Sequence, residues 1–170
     1  THLGCMIASV NTGRCGEASE TTVARAAPDG YTLLLATTGP AATNKLLYRN
    51  LSFDSATDFS PIAMIGVIPQ VIMVIPKFPA SDLKQLVELA KENPGKLNIG
   101  NSGNGTMAHI AAVSFARLAG IQAAHVPYKG VAQLISDILG GQIEFGFPGF
   151  IPQLTQAKVV AGTSSERLEN

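Results

Sequence analysis

The sequence has no tryptophan, only two cysteines and few charged residues. Its 170 residues include 12 Lys and Arg and 12 Asp and Glu, so the formal net charge is zero. Without a basic excess, a nucleic-acid partner is not expected. Without a run of about 18 apolar residues, direct insertion into a membrane is not expected. No basic region followed by an apolar core opens the sequence, so it predicts no signal peptide.

Motifs for metal or redox chemistry are also missing. The sequence contains neither HExxH nor CxxC, and Cys5 and Cys15, which could pair, lie in a segment without sustained periodicity. We therefore predict no cofactor and no metal. Hydrophobic residues make up 46% of the chain, which suffices for a core. The length suits one domain or an incomplete pair of domains.

Apolar runs alternate with amphipathic segments along most of the chain. This alternation predicts an α/β fold with a mostly parallel sheet. The predicted strands are residues 31–36, 62–67, 71–75, 97–99, 123–126 and 143–147. The predicted helices are residues 17–27, 41–48, a segment capped by Ser81, 107–119 and 131–139.

The stretch from Leu97 to Gly120 carries the strongest local signal. A short apolar strand leads into the loop 100–105, GNSGNG, which contains three glycines. A helix follows, and Gly120 stands where a C-terminal cap belongs. Its predicted apolar face consists of Met107, Ile110, Ala111, Ser114, Phe115 and Leu118. The carboxyl ends of parallel strands are where ligands bind in such folds, and two further loops, 37–40 and 127–130, are predicted there.

The loop 100–105 has two interpretations. Glycines that precede a helix let the backbone approach an anion, and the free N–H groups of the first turn point at it. Asn101, Ser102, Asn104 and Thr106 would add side-chain donors, and no Lys or Arg lies in the loop. Alternatively, the loop is only a tight turn in which Asn104 or Thr106 caps the helix.

Several longer motifs resemble one known family in order and spacing. They are APDGYTLLLATTGPAATNKLLY, DFSPIAMIG, PGKLNIGNSGNGTMAHIAA, HVPYKG and DILGGQIEF. Together they resemble the Bug family, the TctC-like extracytoplasmic solute-binding proteins of tripartite tricarboxylate transport systems. The resemblance covers roughly residues 23–147.

The resemblance implies a periplasmic-binding-protein-like fold of the Venus-flytrap type and a small carboxylate ligand in an interdomain cleft. It further implies a periplasmic location and, for a full-length protein, membrane permease subunits as partners. Because the family's first strand and first glycine-rich loop are not found, we expect a chain truncated at both ends. The expected domains are a partial first domain (1–73), a nearly complete second domain (74–158) and a crossing back to the first (159–170).

The ligand-binding residues expected from the loops and the resemblance are Thr37, Thr38, Gly39, Asn101, Ser102, Gly103, Asn104, Gly105, Thr106, His109 and Tyr128. His109, one turn into its helix, could hold an anion or steady the loop by a hydrogen bond. His125 alternates with apolar neighbours on a strand, so we interpret it as a packed residue. Lys129 is the nearest cation and could equally be solvated.

A second function class is a small α/β hydrolase or transferase that uses Ser102 or Ser114 with a histidine. The pattern around Ser102 is not the G-x-S-x-G elbow of such enzymes, and Ser114 lies on the predicted apolar face. A binding protein needs only oriented donors and a hinge, so we predict no enzymatic activity. A third possibility is a non-functional remnant.

Overall fold

A mixed five-stranded sheet forms the centre of the computed structural model, which describes residues 17–150 and 158–163. The strands are β1 (Val71–Val74), β2 (Asn98–Asn101), β3 (Ala124–Pro127), β4 (Phe145–Phe147) and β5 (Lys158–Gly162), in the spatial order β3-β2-β4-β1-β5. Strand β2 runs parallel to β3 and to β4, while β1 runs antiparallel to β4 and to β5. Four strands thus share one direction, and the α/β prediction is confirmed.

Helices cover both faces of this sheet. They are α3 (Leu83–Glu92), α4 (Met107–Ala119) and α5 (Val131–Leu139). Successive side chains of a strand point to opposite faces, and β1 shows this directly. Ile72 and Val74 belong to the cluster with the buried residues of α3 and α4, whereas Val71 and Met73 belong to the cluster with Leu134 and Ile138 of α5.

Two glycines let α5 lie close to the sheet. Gly100 of β2 and Gly146 of β4 are register partners. A Cβ at Gly100 would collide with the Leu134 side chain, and a Cβ at Gly146 would lie 3.0 Å from both Leu134 and Ile138. The prediction that the loop begins at Gly100 is therefore wrong: β2 continues to Asn101 because a strand residue without a side chain is needed beneath α5.

Helix α4 begins and ends where the sequence predicts, but its buried face differs. Thr106 is its N-cap, and Gly120 ends it in the left-handed conformation with φ 65°. The buried positions are Ala108, Ala112 and Ala116, because small side chains bring the helix axis close to the sheet. Of the predicted face, Ser114 is exposed and Leu118 is 88% exposed.

The N-cap of α3 is Asp82 and not Ser81 as predicted. The Asp82 carboxylate accepts a hydrogen bond from Gln85 N at 2.9 Å. Ser81 N donates to the Gln85 side chain at 2.8 Å instead. Aspartate and serine are comparable caps, so the sequence did not decide between these neighbours.

The chain divides into two compact units, with the boundary between Gly66 and Val67. The sheet and helices α3 to α5 belong to the second unit. The first unit contains α1 (Glu17–Ala24), a π-helical turn (Gly39–Thr43) and α2 (Asn44–Leu47). A T-shaped contact joins Phe53 and Phe59, whose ring centroids lie 5.7 Å apart.

Two strand predictions are wrong. Among the described residues of the segment 31–36, only Leu33 makes a bridge, and Tyr31 and Leu35 are 91% and 58% exposed. The segment 62–67 is irregular and exposed throughout. Apolar composition favours a strand only where neighbouring strands supply hydrogen bonds and cover. Cys5 and Cys15 lie outside the described residues.

Candidate functional site

The glycine-rich loop lies at the carboxyl end of β2, between β3 and β4. Asn101, the last residue of β2, is in register with Pro127 and with Phe147, the last residues of the two neighbours. From β2 the chain passes through α4 to β3, whereas β4 lies on the other side of β2. Connections that depart in different directions from adjacent strands leave a crevice at their carboxyl ends, where α/β folds bind ligands.

Two glycines allow the backbone conformation of the loop. Gly103 and Gly105 have φ values of 136° and 78°, in the region that favours glycine. A Cβ at Gly103 would also lie 3.4 Å from the backbone oxygen of Tyr128. The loop therefore approaches the end of β3 closely. Asn104, between the two glycines, is exposed.

Thr106 holds the loop against the first turn of α4. Its hydroxyl donates to the Gly103 carbonyl at 2.7 Å and accepts from His109 N at 3.3 Å. The Ser102 hydroxyl donates to Thr106 Oγ1 at 3.4 Å. Of the two cap alternatives, Thr106 is confirmed, and the hydroxyls of Ser102 and Thr106 are engaged within the loop.

Asn101 is the most deeply buried polar residue at the loop. It is fully buried, and its Oδ1 accepts a hydrogen bond from Gly103 N at 3.1 Å. This bond fixes the orientation of the amide. Its Nδ2 has no hydrogen-bond partner in the part of the chain that the structure describes. A buried donor without an acceptor costs about 1–3 kcal/mol. A ligand atom that accepts a hydrogen bond from this nitrogen would remove that cost.

His109 lies in the first turn of α4 and closes the loop from the helix side. Its Nδ1 accepts a hydrogen bond from Gly105 N at 3.2 Å. The imidazole of His125 stands edge-on to it, with ring centroids 6.2 Å apart. Burial, and then the neighbouring His109, lower the pKa of His125. Sequence reasoning treated the two histidines separately, because no local spacing shows that β3 carries one beside the other.

Tyr128 meets the loop through its backbone. Its N–H donates to the Asn101 carbonyl at 2.9 Å. Its half-buried ring packs with the cluster beneath α5. Burial raises the pKa of the Tyr128 phenol, and hydrogen bonding and charge from Asp137 of α5 raise it further. Lys129, the next residue, is exposed.

The remaining predicted site residues belong to the first unit, at the start of the π-helical turn. Thr37 and Thr38 are exposed, and Gly39 is buried. Ala41 N donates to the Thr37 carbonyl at 3.1 Å. The Thr38 side chain makes no capping hydrogen bond.

Other site types have no counterpart in the described ranges 17–150 and 158–163. No group of three or more His, Cys, Asp or Glu residues there is arranged to hold a metal ion. None of the helices in these ranges has the length and apolarity that a membrane span requires.

Comparison with known proteins places the chain in a family. Residues 5–167 match the TctC family, described as the tripartite tricarboxylate transporter family receptor. A UPF0065 protein of Bordetella pertussis is 37% identical over 141 residues, which are 83% of this chain and 43% of that protein.

Two solved structures show the same fold. One, of Rpa4515 from R. palustris with adipate, has a TM-score of 0.84 and 30% identity, and the match covers 91% of this chain and 54% of that one. The other, of the periplasmic binding protein BugD, has a TM-score of 0.78 and 32% identity, and the match covers 91% and 53%. This chain thus spans about half the length of these relatives. The match over residues 5–167 establishes that the chain belongs to the TctC family of tripartite tricarboxylate transporter receptors.

Proposed function

We propose that this chain is part of an extracytoplasmic solute-binding protein of a tripartite tricarboxylate transport system. Its ligand is a small carboxylate, held in the cleft of the full-length protein. The adipate named with one solved relative supports this ligand class, and the family match supports the transport role. The same proposal includes a periplasmic location, permease subunits as partners, and the domain limits 1–73, 74–158 and 159–170.

The observation that carries this proposal is the unpartnered Asn101 Nδ2 beside a helix N-terminus. Helix α4 has 13 residues, and the first backbone N–H groups of a helix have no partner within the helix itself. A helix N-terminus favours a negative charge by about 0.3–1 kcal/mol. A carboxylate that also accepts from Asn101 would satisfy the buried amide. Neutral dipoles, and not a cation, would hold the anion.

The proposed ligand contacts include all the residues expected from the sequence. In the second unit they are Asn101, Ser102, Gly103, Asn104, Gly105, Thr106, His109 and Tyr128, and in the first unit they are Thr37, Thr38 and Gly39. Within this set we propose that Asn101 binds the ligand directly, together with the first backbone amides of α4. Thr106 and the two loop glycines position them.

A hydrolase that uses Ser102 is less well supported. Its hydroxyl donates to Thr106, and the His109 Nδ1 that could serve as a base accepts from Gly105 instead. A serine nucleophile needs a base within hydrogen-bond reach. We therefore expect no turnover of ester, amide or phosphoester substrates. Reproducible hydrolysis that is lost in Ser102→Ala would overturn the binding-protein proposal.

Ligand class can be tested by thermal unfolding of this chain with adipate, malate and citrate. The controls are neutral diamides of similar size. At about 100 times its dissociation constant, a bound carboxylate adds roughly 2.7 kcal/mol to the free energy of unfolding. We expect carboxylates to raise the melting temperature and diamides to leave it unchanged. Unchanged melting with every carboxylate would contradict binding by this chain.

The site is tested by calorimetry on loop variants with the best carboxylate of that panel. Gly105→Val should abolish binding, because a β-branched residue disfavours φ 78°. Asn101→Asp, which replaces the free donor by an acceptor, should weaken binding by more than tenfold. Asn50→Asp, at an exposed position of the first unit, makes the same charge change and should not weaken it.

Two further variants set an order of effects. Ser102→Ala should weaken binding less than Gly105→Val, and His109→Ala should weaken it least, since the helix N-terminus provides most of the stabilisation of the anion. If His109→Ala is the most damaging variant while Gly105→Val binds normally, a charged imidazole holds the anion and the helix-terminus account is wrong.

A further inference from the structure

Asn104 and Gly105 of the loop form the only Asn-Gly pair in the sequence. In such a pair the glycine nitrogen can attack the side-chain amide of the asparagine, because no Cβ on the glycine obstructs the approach. Asn104 is exposed, and Gly105 is buried with φ 78°. The amide that would react therefore belongs to an exposed residue, whereas the nitrogen that would attack it lies within the fold.

The N–H group of Gly105 lies within reach of a base. It donates to Nδ1 of His109 at 3.2 Å, so this ring nitrogen is unprotonated. A general base has to lie within hydrogen-bond distance of the proton that it removes, and His109 meets this requirement. Most backbone N–H groups in proteins donate to carbonyl oxygens instead, which are far weaker bases than an imidazole.

We propose that Asn104 and Gly105 form a self-modification site at which His109 is the general base, and that the resulting carboxylate at position 104 weakens carboxylate binding. The chemical step depends only on this chain and water. Its effect on affinity rests on the function proposed above.

The reaction is an intramolecular deamidation. Nδ1 of His109 takes the proton from the Gly105 nitrogen, and that nitrogen attacks Cγ of Asn104. The new N–Cγ bond closes a cyclic succinimide, and the Cγ–Nδ2 bond breaks as the proton passes to the departing ammonia. Water then opens the ring at either carbonyl, so residue 104 becomes aspartate or isoaspartate.

Both products act on ligand binding in the same direction. Residue 104 lies two positions before Thr106, the N-cap of α4. A carboxylate there is attracted by the positive end of the helix dipole and repels a second carboxylate, and residues 100–106 contain no Lys or Arg that would offset it. Isoaspartate also adds a backbone carbon before Gly105 and so displaces the turn. Affinity for an anion therefore falls with either product.

Mass spectrometry of the ageing chain tests the modification itself. The chain is incubated at neutral pH and digested at intervals, and the conversion of each asparagine amide to an acid is followed. Asn104 should convert faster than Asn50, which is also exposed but precedes a leucine. Conversion of Asn104 no faster than that of Asn50 would overturn the proposal.

Two histidine variants test the role of the base. His109→Asn keeps an acceptor for Gly105, because the asparagine Oδ1 occupies the place of the histidine Nδ1, but an amide oxygen is a much weaker base. Conversion of Asn104 should therefore slow severalfold in this variant. His125→Gln leaves the bond to Gly105 intact and should convert at the wild-type rate. Unchanged or faster conversion in His109→Asn would overturn the proposal, and so would equal slowing in both variants.

Calorimetry with adipate tests the effect on binding. Asn104→Asp carries the charge of the product and should bind severalfold more weakly than the wild type, whereas Asn50→Asp should bind as the wild type does. Equal affinity of Asn104→Asp and the wild type would overturn the effect on binding. If no carboxylate binds to the wild type, that effect fails together with the proposed function, and the mass measurements still decide whether position 104 is a modification site.

Discussion

Two apolar segments of similar composition behave differently in this protein. In β1, all four residues are buried, with Val71, Met73 and Val74 fully so. In the segment 62–66 of the first unit, Ile62, Met64 and Ile65 are 57%, 82% and 83% exposed. Both segments are continuous apolar runs, the pattern of a strand covered on two faces. The difference shows that such a run becomes a strand only when partners are present.

Unlike the segment 62–66, β1 has a neighbouring strand on each of its two edges. It forms hydrogen-bonded ladders with β4 and with β5, and helices cover each face. Burial of each large apolar side chain there contributes about 1.5–3 kcal/mol. The segment 62–66 has no ladder partner among the described residues. The four predictions below test this contrast, from the largest expected effect to the smallest.

The largest expected effect is the loss of a core side chain next to β1. Phe145 of β4 is fully buried, so Phe145→Ala should lower the free energy of unfolding by about 3–5 kcal/mol through lost burial and a cavity. Ile65→Ala, in the exposed segment, should change it by less than about 0.5 kcal/mol. Urea denaturation of both variants measures the difference. Equal effects would contradict the contrast.

Glycine substitutions test the packing of the sheet by adding a side-chain atom instead of removing several. Gly146→Ala should lower the free energy of unfolding by about 1–3 kcal/mol, since the new Cβ would lie 2.9 Å from the Gly100 carbonyl oxygen. At Gly66 a Cβ would meet nothing within 4 Å, so Gly66→Ala should have little effect. The same denaturation measurement applies, and a tolerated Gly146→Ala would mean that α5 lies farther from the sheet.

The two ligand-loop candidates differ in how their helices begin. The Thr106 hydroxyl caps α4, so Thr106→Ala should lower the free energy of unfolding by about 0.5–2 kcal/mol. The Thr38 side chain makes no such bond, so Thr38→Ala should change stability less. Thermal unfolding of the two variants measures these effects. A larger loss of stability in Thr38→Ala than in Thr106→Ala would contradict the prediction.

The smallest expected effect is a pH dependence from His125. Its pKa in the folded state lies below the ordinary value of 6.5, so the unfolded chain binds more protons just below that pH. The stabilising contribution of neutral His125 is complete above pH 6.5 and is lost as the pH falls through the lowered folded value. His125→Gln should reduce the drop in melting temperature between pH 7.5 and pH 5. If the fall in melting temperature is unchanged in this variant, other titratable groups cause it.

Local patterns were sufficient for the helices of the second unit. The periodicity of 107–119 and 131–139 and the cap at Gly120 were predicted from the sequence and are confirmed. The buried face of α4 was not predicted correctly, because alanines carry a weak hydrophobic signal although they allow the closest packing. The strand character of Gly100 depends on Leu134, more than 30 residues later, and no local pattern contains that contact.

The candidate site was also only partly predictable from local sequence patterns. The glycine positions predicted a loop with positive φ values before a helix, and Gly103 and Gly105 have them. The sequence did not show which donors the loop uses internally. Ser102 and Thr106 bond each other, Gly105 bonds His109, and the buried Asn101 Nδ2 has no partner among the described residues. Such an inventory requires three-dimensional contacts.

The order in which the strands pair has a consequence for biosynthesis. Strand β1 is made first, but its two neighbours, β4 and β5, follow about 70 residues or more later in the chain. At synthesis rates of about 5–20 residues per second, a wholly apolar strand remains without its final partners for several seconds on the ribosome. During that interval the nascent chain exposes apolar surface and unpaired strand edges, which favour aggregation, and the sheet closes only after β5 has emerged.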